Sequence, residues 1–162
     1  MHLTRFTDYS LRTLIYVGLQ GERLASIAEI ATAYAISEHH LNKVVHHLGQ
    51  IGLLDTVRGR KGGIRLAKPP EQIRVGDVVR EVEGNMAVVE CRGTEPCAIA
   101  GVCVLERALW EGLTAFLAVL DKYTLADLLE ARGAALAARL SLEEFTAAGA
   151  PPKPKAPSAV DA

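Results

Sequence analysis

A mainly helical fold with a small β wing is what this sequence predicts, and three observations predict it. Alanine and leucine dominate the 162 residues while aromatics make up only 5%, a balance that favours helices. Apolar residues recur at i, i+3, i+4, i+7 over 41–48 and again over 75–82, the period of a helix with one buried face. Two short β-prone pieces flank the glycine pair at 62–63, the pattern of a hairpin. The length suits one domain plus an appendage, and the 49% hydrophobic content supports a packed core.

The first helix is expected over FTDYSLRTLIYVGL. Thr7 is its expected N-cap, Asp8 suits the positive end of the helix dipole, and Leu11, Leu14 and Ile15 share a face. Gly21 closes it. Ser26 with Glu29 makes a capping box, opening a short helix with Ile27, Ile30 and Ala31 inward. A tight break near Ala35 and Ile36 precedes Ser37, which caps a longer helix carrying Leu41, Val44, Val45 and Leu48 on one face. A short helix, a turn and a longer capped helix make a helix-turn-helix.

DTVR and IRLA follow, flanking RKGG, whose paired glycines Gly62 and Gly63 are expected to take positive φ and turn the chain. A basic hairpin directly after a helix-turn-helix makes a winged helix, ended here by Pro69 and Pro70. RVGDVVREVEG adds a helix with Val75, Val78, Val79 and Val82 on one face.

VLERALWEGLTAFLAVLDKY reads as a long amphipathic helix. Its stripe of Leu105, Leu109, Leu113, Phe116 and Leu120, widened by Ala108 and Leu117, exceeds what one small winged domain needs. A second subunit is expected to cover part of it. TLADLLEA, capped by Thr124, is read as a short final helix. The expected organisation is a winged helix-turn-helix domain over 1–84, a cysteine loop over 85–103, a dimerisation helix with a short C-terminal helix over 104–146, and a disordered Ala/Pro/Lys-rich tail over 147–162.

The net charge of −1 announces no partner, but its distribution does. Residues 56–74 carry six basic side chains against the single acid Glu71, a local +5, whereas 104–145 carry four basic and seven acidic ones, a local −3. One surface therefore suits a polyanion and another does not. No apolar run approaches the roughly 20 residues a membrane span needs, and no signal peptide opens the chain. A cytoplasmic protein is expected, where an odd set of thiols serves metal or reactivity more often than a disulfide.

With the apolar stripe inward, His39, Lys43, His46 and Gln50 fall on the opposite face of the second helix of the pair, with Ser37, His40 and Asn42 nearby. Alone these are an ordinary solvated face. Beside a hairpin tip carrying Arg58, Arg60 and Lys61, which fit phosphate contact or a narrow minor groove, they point to a double-stranded DNA operator. The doublets His39–His40 and His46–His47 do not suit one metal ion, because seven helical residues span about 10.5 Å.

Every cysteine lies in CRGTEPCAIAGVC, residues 91–103, as Cys91, Cys97 and Cys103. A lone cysteine is usually a small buried hydrophobe; three within one Gly/Pro-softened loop are not core packing. Zinc sites favour shorter cysteine gaps, a catalytic thiol wants a nearby base that the loop lacks, and thiol redox switching stays open because Cys103 opens a helix. An iron–sulphur cluster suits thiolates on a pliant loop, yet the set is one ligand short of four.

FTDYSLRTLIY, VRGRKGGIRLAKP, the three evenly spaced cysteines and LDKYTLADLLE together resemble the NsrR repressors, over about residues 1–132. These are nitric-oxide sensors in the winged-helix family that includes the iron–sulphur regulator IscR. The resemblance implies a homodimer with a 4Fe–4S cluster in each subunit, bound by Cys91, Cys97 and Cys103 and by an aspartate near the partner's N-terminus, here Asp8 within TDY. Read from position alone, Asp8 is a dipole-stabilising acid in a first helical turn. IscR-like proteins carry a histidine three residues after the last cysteine, completing a 2Fe–2S site; this chain has Glu106 there, leaving Glu90 or Glu106 as alternative oxygen ligands.

The implied function is a repressor, not an enzyme, that loses operator affinity when nitric oxide attacks the cluster and so releases nitric-oxide detoxification genes. Its rivals are an iron- or redox-sensing cluster regulator, a small iron–sulphur electron carrier, and a thiol-dependent enzyme.

Overall fold

The computed structural model describes residues 2–84, 86–89, 91 and 97–142. Helix α1 runs Arg5–Leu19, α2 Ile27–Tyr34 and α3 Glu38–Gln50; strands β1, Leu54–Val57, and β2, Gly63–Leu66, form the wing. After a 3-10 turn at Pro70–Gln72 come α4, Val75–Glu83, α5, Val104–Leu120, α6, Leu125–Glu130, and α7, Gly133–Arg139. The tail over 147–162 lies outside the described residues, and no helix among those described is long and apolar enough to cross a membrane.

Local signals place the helix-turn-helix. Ser26 and Glu29 form the expected capping box, and Ala35 ends α2 in the left-handed region at φ 53°. Ser37 then caps α3, its hydroxyl accepting from the His40 backbone N–H. Leu41, Val44 and Leu48 of α3 are wholly buried, meeting Leu14 and Val17 of α1 and Ile30 of α2.

The N-cap of α1 is Thr4, not Thr7. Both threonines stand before the apolar stripe, so periodicity could not separate them. A distant residue does: the Glu83 carboxylate at the end of α4 accepts from the Thr4 backbone N–H at 3.0 Å and from the Thr7 hydroxyl. Thr7 is thereby fully buried within the first turn.

The wing is an antiparallel pair in the register Leu54↔Leu66, Asp55↔Arg65, Thr56↔Ile64 and Val57↔Gly63. Ala25 adds a one-residue third strand by exchanging hydrogen bonds of 2.9 and 2.8 Å with Ile64. The turn does not use its glycines as expected. Gly59 takes the positive φ, at 115°, while Gly62 and Gly63 are needed because a Cβ would strike the Val57 and Ala25 carbonyl oxygens. Close backbone approach, rather than φ, demands the pair.

The C-terminal part departs from expectation by one additional helix. Helix α6 is capped by the Thr124–Asp127 box and buries Leu125 in the same core as the helix-turn-helix. A further helix, α7, follows; it has no side-chain cap and rests on alanine's helix propensity. Of the long stripe on α5, only Leu113 is buried, while Leu105 is 63% exposed.

Candidate nucleic-acid interface and cysteine loop

Helix α3 buries one face in the core, which turns His39, Lys43, His46 and Gln50 outward; all four are exposed. His39 and Lys43 stand one turn apart on this face. Ser37, His40 and Asn42 are exposed too, and each already makes one local hydrogen bond. The Ser37 hydroxyl lies 3.0 Å from His40 Nδ1, and Asn42 donates to the Glu38 carbonyl at 2.8 Å. The His40 ring also contacts Tyr9 and His39. Asn42 therefore has one N–H held by its own helix backbone, whereas Lys43 is free to reach out.

Arg58, Arg60 and Lys61 are exposed on the wing tip, and none is ion-paired among the described residues. Arg65, on the adjacent strand, has its charge met by Asp55 at 3.6 Å. Three unmet cations on one loop are suited to phosphate contact, since unpaired charge gains most from a polyanion.

Two tyrosines and a carboxylate tie the helix-turn-helix to α1. Arg12 lies 5.7 Å over the Tyr34 ring, and burial pushes the Tyr34 hydroxyl up to about 12. Burial also raises Tyr16. For Glu29, burial pushes upward, but hydrogen bonds from the Ser26 backbone and the Arg23 guanidinium outweigh it and hold the carboxyl low.

Arg12 also pairs with Asp8 at 2.9 Å, both side chains being 44% exposed. Asp8 thus occupies the first-turn, dipole-facing position its sequence place suggests. The i, i+4 spacing to Arg12 was legible in the sequence; the contact with Tyr34 was not.

The three thiols lie where a turn meets a helix. Cys97 N–H donates to the Cys91 carbonyl at 3.4 Å, and Ala100 N–H to that of Cys97 at 2.9 Å. Cys103 is the N-cap residue of α5. Cys91 and Cys103 are half-buried and share the wall of a 640 Å³ cleft with Val88, Val89, Glu106 and Trp110; Cys97 is exposed. Among the described residues no three His, Cys, Asp or Glu side chains are grouped to hold a metal ion, so the single chain gathers neither its three cysteines nor Asp8 into a metal site. Glu106 accepts from Gly101 N–H at 3.5 Å, and Glu90 lies outside the described residues.

A capped recognition helix beside a wing of unpaired cations defines a winged-helix, DNA-binding transcription regulator. The chain matches the model of the Rrf2 family, iron-dependent transcriptional regulators, over residues 3–131 and belongs to that family. Its relatives include proteins named HTH-type transcriptional regulator NsrR. That of Geobacillus kaustophilus is 54% identical over 82% of this chain and 92% of its own length, and that of Bacillus subtilis 51% identical over 80% and 91%. Within the family this is therefore a regulator of the NsrR type, not an enzyme.

Solved structures agree on the fold. CymR, the global cysteine regulator of B. subtilis, superposes with a TM-score of 0.65 at 32% identity, covering 79% of this chain and 95% of its own. T. potens IscR gives 0.64 at 28% identity, covering 81% and 88%.

Proposed function

We propose that this regulator is a homodimeric repressor that senses nitric oxide through an iron–sulphur cluster, a 4Fe–4S cluster held in each subunit by Cys91, Cys97 and Cys103. The observation that carries the reading is the position of the thiols: the cysteine loop ends at Cys103, the N-cap of α5, and much of that helix's apolar face is left uncovered in the single chain. The donor chemistry fits, since three cysteines fall within one short stretch, Cys91 and Cys97 joined through their backbones, and soft thiolate ligands select such clusters. Asp8 of the partner subunit is the proposed fourth ligand, which matches a cysteine loop that is not a complete site by itself.

A bound cluster would supply iron that reacts with nitric oxide and gives up protein ligands. The residues of the chain do the rest. Cys103 couples the loop to α5, and α5 pairs the two subunits, so the state of the loop decides how two copies of α3 are held. Those helices must meet half-sites about 34–36 Å apart, or a multiple. His39 and Lys43 then face the groove, assisted by Ser37, His40 and Asn42, while Arg58, Arg60 and Lys61 hold the phosphates. When Asp8 is released it returns to Arg12, the spacing is lost and operator affinity falls.

The test is an anaerobic nitric-oxide titration of the isolated protein, following visible absorption, iron, sulphide and operator binding together. A brown protein near four irons and four sulphides per chain, bleaching as the operator is released, supports the sensor. Release on iron chelation with no response to nitric oxide makes it an iron-sensing regulator instead. A protein that stays colourless after reconstitution refutes the cluster.

A further inference from the structure

We infer that Asp121, Arg80 and Gly76 form a positioning joint that sets the angle of α5 on the winged domain, and through it the half-site spacing this regulator accepts. The inference rests on the proposed pairing of two copies through α5.

Asp121 is the C-cap of α5, and its carboxylate faces α4. Oδ2 accepts from Arg80 Nη2 at 2.5 Å, while Arg80 Nη1 donates to Asp77 at 3.0 Å. Oδ1 is buried without a hydrogen-bond partner. It lies against Gly76 in the first turn of α4, so closely that a Cβ there would overlap it. Glycine weakens a helix relative to alanine; admitting this carboxylate is its reason here. Helix α4 has no side-chain N-cap, so the carboxylate also meets the positive end of its dipole.

Backbone hydrogen bonds stitch the same joint. Val75 N–H donates to the Tyr123 carbonyl at 2.9 Å and Leu125 N–H to that of Ile73 at 2.7 Å, with Arg74 bridged to Thr124. Farther along α5 only Leu113 is buried. The helix is a lever clamped at its C-terminal end.

The lever arm makes small angles matter. Seventeen residues at 1.5 Å each give about 25 Å, so a tilt of about 10° moves the far end about 4 Å. One base-pair step is about 3.4 Å. The Arg80–Asp121 pair is partly exposed, at 39% and 34%, and such pairs add little stability. Its use is instead to fix the orientation of the two helices.

The experiment uses full-length protein and an operator that the wild type selects from random-sequence duplexes. That operator is rebuilt with its centre one or two base pairs longer and shorter, and as a single half-site. Arg80→Gln and Asp121→Asn are expected to bind the half-site as the wild type does, while the preference for the selected spacing falls roughly fivefold. Arg80→Lys restores most of it, and Gly76→Ala loses more than either. Variants that keep the full spacing preference overturn the joint. Half-site binding lost in parallel also overturns it, because the reading head itself is then damaged. A wild type indifferent to spacing overturns the paired reading underneath as well, which separates the two failures.

Discussion

The winged domain and α5 carry the same kind of amphipathic pattern and meet opposite fates. In the winged domain the stripes of α1, α2 and α3 close on one another: Leu14, Ile30, Leu41, Val44, Leu48 and Ile64 are each at most 2% exposed. On α5 a comparable stripe buries only Leu113 and leaves Leu105 63% exposed, with Val104 and Trp110 exposed beside it. A large apolar side chain gains about 1.5–3 kcal/mol on burial, so an exposed run of them is an unspent driving force. An apolar period says that a face will be covered; it does not say by what. For α3 the cover lies in the same chain, and for α5 it is proposed to be a second copy.

The sharpest way to separate the two regions is Cys97→Ala. It is expected to abolish the cluster and regulated operator binding completely while leaving the helical circular dichroism of the winged domain intact. Unfolding of the variant would show that the cysteine loop is part of the fold and erase the distinction.

Leu48→Ala and Leu105→Ala test the contrast in stability. The first removes a wholly buried side chain and should cost about 2–5 kcal/mol, read from denaturant midpoints at equal slope. The second should change a dilute monomer by less than about 0.5 kcal/mol, yet shift the monomer–dimer equilibrium in sedimentation. Equal losses in the two variants would mean that α5 is already covered within its own chain.

Arg58→Ala is expected to weaken operator binding by about 1 kcal/mol and reduce the salt dependence by about one phosphate contact, with the cluster's colour unchanged. Unaltered DNA binding would remove the wing tip from the interface.

The smallest effect concerns acid. The Thr124 backbone N–H and hydroxyl hold Asp127 below the usual carboxylate range, and Glu29 is held low in the balance described above. Carboxyls with depressed folded values stabilise the fold fully above their unfolded values and lose that contribution as pH falls through the folded ones. Thermal midpoints between pH 6 and pH 3 should therefore fall less steeply in Glu29→Gln than in the wild type. Parallel curves would show that the box contributes nothing titratable.

Much of the reading head was legible because its signals are local. The Ser26–Glu29 box, the Ser37 cap and the Leu41–Leu48 stripe each act within a helical turn or two, and each stands as read. The cations of the wing were equally plain. Other assignments needed partners far along the chain. Thr4 and Thr7 at the start of α1 are both bound by Glu83, and Arg12 meets the Tyr34 ring. Helix α7 went unread because it opens without a cap.

By itself, then, the sequence determined the helices up to α6, the wing, the placing of three thiols in one loop and the separation of basic from acidic regions. Caps, periodicity and spacing are short-range properties, and they survive translation into structure. Only the tertiary structure decided which threonine caps α1, why the wing needs Gly62 and Gly63, and how Asp121 meets Gly76 and Arg80. Except at Gly62, whose neighbours lie within the same hairpin, those outcomes depend on the close approach of segments tens of residues apart, which no local pattern encodes.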